Sequence, residues 1–362
     1  MRFGFVLTNL AAGGAEKAVL RIARGLAAHG HRADVIALEH VVAHPVPAGI
    51  GFHALTAHGE QAPKGWLGKR LAARRLRRRI GQLASEEPFQ LVVSTLPFAD
   101  EVAILAGVPA LWCRIANTLS AEVARLASTN AAKAARRLAR YRKMYAGRPL
   151  IAVSDGVAED LRAGVDIPDA RIETIPNPFD FAAMKTLARE PAGLPQRPYL
   201  IHVGRFSGQK RHDLLLDAFA RVDCAHRLVL LAADAPGLRA MIAARGLAGR
   251  AIVAGFQRNP FPWIAAADLL VLCSDHEGLP NVLIEALALG VPVVSTDCPS
   301  GPREILGRAL PGCLVPVGDA AALAGAVGRA LADRPDAARV DLSGYAEQRV
   351  LASYERLAQE RN

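Results

Sequence analysis

The sequence predicts an α/β protein of two doubly wound domains, each a parallel sheet covered by helices on both faces. Three observations carry this. The chain has 362 residues, too many for one ordinary core and suited to two. Short apolar runs bounded by turn residues alternate with amphipathic stretches along its length. Near the middle, IPNPFDFAAMKTLAREPAGLPQRP holds five prolines and no strand pattern, and the alternation restarts beyond it.

In the first domain, Arg2 to Leu7 reads as a strand, Ala11 to Ala15 as a glycine-rich turn, and Glu16 to His29 as a helix with Val19, Ile22, Ala23 and Leu26 on one face. The runs ADVIAL, LVVST, ALWCRI and LIAVS follow as strands separated by helical patterns. A domain over residues 1–175 results. The second domain, 196–344, reads as strand YLIHVG, helix from His212, strand RLVLLAA, helix from Pro236, strand AIVAG, a short helix, strand DLLVLC, helix from Asn281, strand VPVVST, helix from Pro302 and a last helix after Asp319. A terminal helical stretch within 345–362 is expected to pack back on the first domain.

Composition narrows the function classes. No stretch reaches the roughly 18 uninterrupted apolar residues of a membrane helix, and the N-terminus lacks a small-residue cleavage site, so a cytoplasmic chain is expected. Five cysteines, Cys113, Cys224, Cys273, Cys298 and Cys313, are odd in number and never form a CxxC pair. That argues against a disulfide framework or a zinc site. Of the net +10, residues 1–190 carry 26 Lys/Arg against 17 Asp/Glu, and residues 191–362 carry 18 against 17. The two halves are expected to face different partners.

Ligands of open α/β sheets bind beyond the carboxyl ends of the strands, so the loops there are the candidate sites. After YLIHV, Gly204 is followed by Arg205, Lys210 and Arg211 at a helix start. Backbone N–H groups and two or three cations suit a pyrophosphate; the alternative is a solvated helix start. After DLLVLC come Ser274, Asp275, His276, Glu277, Gly278, Leu279, Pro280 and Asn281, then a helix carrying Glu285. Glu277 sits in the loop and Glu285 in the second helical turn, where a carboxylate can accept both ribose hydroxyls. Gly278 lets backbone approach phosphate or sugar oxygens closely. The alternative is a capping Glu277 and a solvated Glu285. Gly13 and Gly14 give a tight strand-to-helix turn that is not GxGxxG.

Taken together, AGGAEKAVLRIARGLAAHGH, IAVSDGVAEDL, IPNPFD, HVGRFSGQKRHDLLLDAFA and EGLPNVLIEALALGVPVVSTDCPSGPREIL resemble the family 4 retaining glycosyltransferases. Those enzymes have the GT-B architecture, two Rossmann-like domains facing each other across a cleft. The resemblance covers nearly the whole chain. It implies that Arg205 and Lys210 bind the donor pyrophosphate, Glu285 the ribose and Glu277 the transferred sugar. Gly14, Gly204, Gly278 and Leu279 would let backbone approach the donor, and Asn281 would shape the sugar pocket. Many members carry a histidine after the strand corresponding to ALWCRI; here Arg114 and Asn117 stand there, and either one of them takes part of its role or the acceptor is held differently. His202 and His276 read as structural or exposed.

DCPSGPREIL looks like the stretch of members using UDP-hexoses or UDP-N-acetylhexosamines, which favours a UDP-sugar substrate over a GDP-sugar. Arg205 and Lys210 can replace a divalent metal and no DxD pair appears outside Asp275-His276-Glu277, so no metal and no cofactor are expected. The basic excess favours a glycan or lipid-linked acceptor. Residues 64–79 hold eight Lys/Arg and no acid, and residues 133–148 hold seven more. Both look helical and suit an anionic membrane surface, with a peripheral location on the inner face of the plasma membrane; the alternative is a pair of solvated helix faces. Nucleic acid is disfavoured, because few aromatics interleave with these charges. Two other readings stay open: a UDP-sugar 2-epimerase of the same architecture, and a non-catalytic nucleotide-sugar binding protein.

Overall fold

The computed structural model describes residues 1–11, 13–43 and 46–360. Ala12 of the expected glycine-rich turn, and residues 361–362 of the expected terminal stretch, lie outside the described residues. The chain divides into two compact units, residues 1–179 with 344–362, and residues 180–343.

Unit 1 runs β1 (Arg2–Leu7), α1 (Gly14–Ala28), β2 (Arg32–Ala37), β3 (Gly51–Ala54), α2 (Trp66–Ala84), β4 (Leu91–Thr95) and α3 (Pro97–Ala106). It continues with β5 (Leu111–Ile115), α4 (Leu119–Ala127), α5 (Ala131–Tyr145), β6 (Pro149–Ala152), α6 (Asp155–Glu159) and β7 (Arg171–Thr174). Unit 2 runs α7 (Phe181–Leu187), β8 (Tyr199–Val203), α8 (His212–Ala220), β9 (Arg227–Leu231), α9 (Pro236–Ala244), β10 (Ala251–Val253) and α10 (Phe261–Ala265). Then come β11 (Leu269–Leu272), α11 (Asn281–Ala288), β12 (Val293–Thr296), α12 (Pro302–Leu306), β13 (Leu314–Val315) and α13 (Ala320–Asp333), and α14 (Glu347–Gln359) returns to unit 1.

Among the described residues the sheet of unit 1 has the order β3-β2-β1-β4-β5-β6-β7, and that of unit 2 the order β10-β9-β8-β11-β12-β13. Both are parallel throughout. Each sheet therefore reverses its winding once, between β1 and β4 in unit 1 and between β8 and β11 in unit 2. Such a reversal point leaves an open crevice at the carboxyl ends of the two central strands. These are Rossmann-like units.

Their strands are buried on both faces, which explains near-continuous apolar runs such as RFGFVL and LVVST. Helix α1 buries Val19, Ile22, Ala23 and Leu26 at helical spacing. Helix α14 lays Val350, Leu351, Tyr354 and Leu357 into the same core. The two helices approach so closely that a Cβ on Gly25 would meet Leu351 Cδ1 at 2.5 Å. Ion pairs Arg24–Glu347 and Arg356–Glu173 tie the ends of α14 to unit 1. In unit 2, Leu214, Leu215 and Phe219 of α8 and Leu323 and Val327 of α13 pack with Leu228, Leu230, Leu269 and Val271 of the sheet.

Two expectations are corrected. The proline-rich interval is not linker throughout: Asp180 caps α7 by accepting from Ala183 N, and Asn259 donates to the Leu187 carbonyl at 2.9 Å, which holds α7 within unit 2. The sheets also gain β3, β7 and β13, which the apolar-run pattern does not reveal.

Candidate functional site

The crevice at the β8/β11 reversal is where the residues singled out from the sequence gather. Strand β8 ends at Val203, Gly204 turns the chain, and a 3-10 turn at Gly208–Lys210 leads into α8. Strand β11 delivers Ser274 to Leu279 ahead of α11. Lys210 Nζ lies 2.5 Å from Glu277 Oε1, and Ser274 Oγ donates to the same oxygen at 2.6 Å. The ion pair is largely shielded, with side-chain exposures of 18% and 9%.

A second layer holds the two loops in register. Gln209 Nε2 donates to the His276 carbonyl at 2.7 Å, and Asp275 N donates to the Gln209 carbonyl at 2.9 Å. Arg211 reaches Asp275 Oδ1 with Nη1 at 2.8 Å and Asp213 with Nε and Nη2. That clamp offsets the left-handed backbone at Arg211, φ +46°, a conformation costly for a side chain with a Cβ. Arg211 and Asp213 favour each other's charged form: Arg211 is pushed upward, chiefly by its hydrogen bond to Asp213, and Asp213 is held below the usual carboxylate range by Arg211. Thr296 of β12 donates to the Ser274 carbonyl at 2.7 Å. Gly301, at φ +96°, brings its loop so near Pro280 that a Cβ would sit 2.3 Å from Cδ, so only glycine fits there.

Arg205 is exposed at the mouth of this turn. Glu285 is buried in the second turn of α11, Asn281 opens that helix, Leu279 is buried and Gly278 lies in the loop before it. A Cβ on Gly204 would meet His202 Nε2 at 3.1 Å and Lys210 Cδ at 3.4 Å, so that glycine lets Lys210 lie flat along the strand end. Gly14 is the first residue of α1 in unit 1. Arg114 is 1% exposed and donates to Asn177 Oδ1, tying β5 to the segment after β7. Asn117 donates to Glu122 Oε1 at 2.7 Å, at the start of α4.

His202 and His276, expected to be structural or exposed, are both buried. His202 packs edge-on against buried His212, ring centroids 4.8 Å apart. Burial, with the other cations nearby, lowers His202 to about 3 and His212 to about 4. The rings are therefore neutral behind Lys210. Ser274 is the site residue that sequence reasoning undervalued, and its only signal is the S-x-x-E spacing to Glu277.

The arrangement can bind an anion. A lysine ammonium has three protons; Glu277 takes one, and the others are available to phosphate oxygens above the helix start. A doubly wound unit with a cation and a carboxylate meeting at its reversal point has the form of a nucleotide-binding domain.

Comparison with known proteins agrees with this class. Residues 12–183 match the Glycosyltransferase Family 4 model and residues 197–333 the Glycosyl transferases group 1 model. The chain belongs to the family 4 glycosyltransferases. It is 34% identical over 166 residues to the N-acetylgalactosamine-N,N'-diacetylbacillosaminyl-diphospho-undecaprenol 4-alpha-N-acetylgalactosaminyltransferase of Campylobacter jejuni, covering 45% of each chain. It is 32% identical over 171 residues to the lipopolysaccharide 1,6-galactosyltransferase of Salmonella typhimurium, covering 45% of this chain and 46% of that one. These likenesses span just under half the length of the relatives. The fold matches sucrose-phosphate synthase of Thermosynechococcus elongatus with a TM-score of 0.72 at 19% identity, over 99% of this chain and 97% of that one. It also matches the galactosyltransferase WaaB, with a TM-score of 0.69 at 19% identity, over the whole of both chains. Anabaena HepE, solved with UDP-glucose, matches with a TM-score of 0.68 at 20% identity, over 100% of this chain and 98% of that one. The architecture is that of GT-B glycosyltransferases.

Proposed function

We propose that this chain is a retaining glycosyltransferase that moves a hexose or N-acetylhexosamine from a UDP-sugar to a lipid-linked or lipopolysaccharide glycan. The observation that carries the reading is the Lys210–Glu277–Ser274 cluster at the β8/β11 reversal. Breaking the bond from the anomeric carbon to the phosphate leaves an oxocarbenium-like sugar and a nucleotide diphosphate of growing negative charge, so stabilising the leaving group is the main task. Lys210 and Arg205 do that, and because cations supply it the reaction runs without a divalent metal. Glu285 binds the ribose, while Glu277, held by Lys210 and Ser274, orients the sugar. The acceptor hydroxyl attacks from the face the phosphate leaves, its proton passes to that phosphate, and configuration is retained.

The acceptor side of the reading draws on relatives named for diphospho-undecaprenol and lipopolysaccharide substrates. Among the described residues no helix is long and apolar enough to cross a membrane. On α2, however, Trp66, Leu67 and Leu71 are exposed beside Arg70, whose guanidinium stacks on the Trp66 ring. With α5 this makes a face for the anionic inner leaflet of the plasma membrane.

The test is an incubation of UDP-sugars with lipid-linked or lipopolysaccharide acceptors in the presence of EDTA. The reading expects acceptor-dependent UDP release and a product whose anomeric configuration, by NMR, equals the donor's. Inversion, a metal requirement, or an epimerised sugar released without acceptor would each contradict it.

A further inference from the structure

On α2, residues 75, 78, 79 and 82 follow the i, i+3, i+4, i+7 spacing that normally marks a buried apolar seam. Here the stripe is Arg75, Arg78, Arg79 and Gln82, and it does not pack into the core; the buried face of α2 is Ala72, Ala73, Leu76, Ile80 and Leu83. The stripe instead lines one wall of a groove of about 430 Å³. The opposite wall is the end of edge strand β3 and the turn after it, Ala54 to Ala57 with Glu60.

The polar groups of that second wall are already occupied. Leu55 N donates to the Ala37 carbonyl, Ala57 N to Glu60 Oε2, and Thr56 Oγ1 accepts from His40 N while donating to the Glu60 carbonyl. The guanidiniums across from it are not. Arg75 has one long contact to the Leu55 carbonyl at 3.5 Å. Among the described residues, Arg78 and Arg79 pair with no carboxylate, whereas Lys69 on the same helix pairs with Glu101 of α3. Like charges at helical i, i+3 and i, i+4 positions repel, and three forked donor arrays converging on one concave surface match the oxygens of a phosphate group.

We propose that this groove is a second anion site, separate from the β8/β11 crevice, which binds a phosphate-ester or pyrophosphate group through Arg75, Arg78 and Arg79. Gln82 adds a neutral donor at the lower end of the stripe. The inference stands on unit 1 alone and does not require the transferase reading. The phosphate could be borne by a soluble sugar phosphate or by a lipid headgroup, and the chemistry of recognition is the same.

The experiment is arginine labelling of the full-length wild-type chain with phenylglyoxal, mapped by peptide mass spectrometry. The probes are inorganic pyrophosphate, phosphatidylglycerol vesicles and phosphatidylcholine vesicles, with sodium chloride at matched ionic strength as the control. A probe at twice its dissociation constant should slow labelling of Arg75, Arg78 and Arg79 about threefold, since the unliganded fraction is the reciprocal of one plus the ratio of ligand to dissociation constant. Protection by pyrophosphate assigns the groove to soluble phosphate; protection by phosphatidylglycerol alone assigns it to headgroups. No protection by either overturns the proposal, as does protection spread equally over Arg70, Arg74 and Arg137. Arg75→Gln, Arg78→Gln and Arg79→Gln combined should abolish groove binding of the effective probe but keep any thermal stabilisation by UDP. Loss of UDP response in wild type would count against the crevice reading and leave the groove untouched.

Discussion

In unit 2, Lys210 pairs with Glu277 and Arg211 with Asp213 and Asp275 at the crevice, with Arg205 exposed at its mouth. On α2 of unit 1 the arginines from 74 to 79 face solvent or the groove, and Arg77 is the one that caps a neighbouring element, through the Ala106 carbonyl. A paired cation is fixed in place and suits a site that must hold a geometry. An unpaired one keeps its hydration until a polyanion displaces it. The difference teaches that paired cations serve positioning in one unit and unpaired ones attraction in the other.

Burial shifts one carboxyl of unit 1 and two histidines of unit 2 in opposite directions. In unit 1, Asp100 is fully buried at the start of α3 and accepts from Ser94 Oγ at 2.6 Å and Tyr145 OH at 2.7 Å. Burial pushes it up to about 7, against the pull of those two donors. In unit 2 the buried His202 and His212 are lowered by burial to about 3 and about 4. The signs are opposite. A carboxyl with a raised folded value stabilises most below its unfolded value near 4, and that contribution is lost as pH rises through 7. A histidine with a lowered folded value stabilises above its unfolded value near 6.5, and that is lost as pH falls toward 4.

The largest expected effect follows from Asp100. Asp100→Asn should remove the decline in stability between pH 4 and pH 7, a relative gain on the order of 4 kcal/mol across that range. Urea midpoints of both proteins at several pH values check it, and parallel curves would mean that Asp100 titrates normally. Next is Lys210→Ala, expected to cost about 2 to 4 kcal/mol of transition-state stabilisation in a transfer assay; a near-normal rate would remove Lys210 from leaving-group stabilisation. Both ring nitrogens of His212 lack a hydrogen-bond partner among the described residues. His212→Phe should then flatten the acid limb by about 1.4 kcal/mol per pH unit below 6.5, and an unchanged slope in urea titrations would assign that limb elsewhere. Smallest is Trp66→Ala with Leu67→Ala, expected to weaken flotation with phosphatidylglycerol vesicles by about 1 to 3 kcal/mol at low salt. Equal flotation would leave α2 without an apolar role at membranes.

Much of this was legible in the sequence, and the exceptions have physical causes. Strands buried on both faces, such as Arg2–Leu7 and Leu269–Leu272, announce themselves as apolar runs. The strands that escaped, GFHA, RIET and the two-residue β13, lie at sheet edges, where one flank meets solvent and polar residues are tolerated. Helix α7 was hidden by the prolines on either side of it. At the site, Lys210 and Glu277 could be named because a glycine turn and a helix start bracket each of them. Their contact, 67 positions apart in the chain, depends on the β8/β11 adjacency, and no local pattern encodes that. Arg114 stands in the sequence where family members carry a histidine, yet its side chain is inside unit 1 on Asn177, because alternation along a doubly buried strand does not distinguish a crevice from a core.

The central claim is that the β8/β11 crevice of unit 2 holds a nucleotide diphosphate. The most direct measurement is a metal-free thermal-shift panel of UDP, GDP, ADP and their sugar conjugates on wild type and on Glu285→Ala. UDP and a UDP-sugar at about 100 times the dissociation constant should stabilise wild type by about 2.7 kcal/mol, and Glu285→Ala should lose that shift while keeping its own fold. No response to any nucleotide, or a UDP response undiminished in Glu285→Ala, would contradict the account.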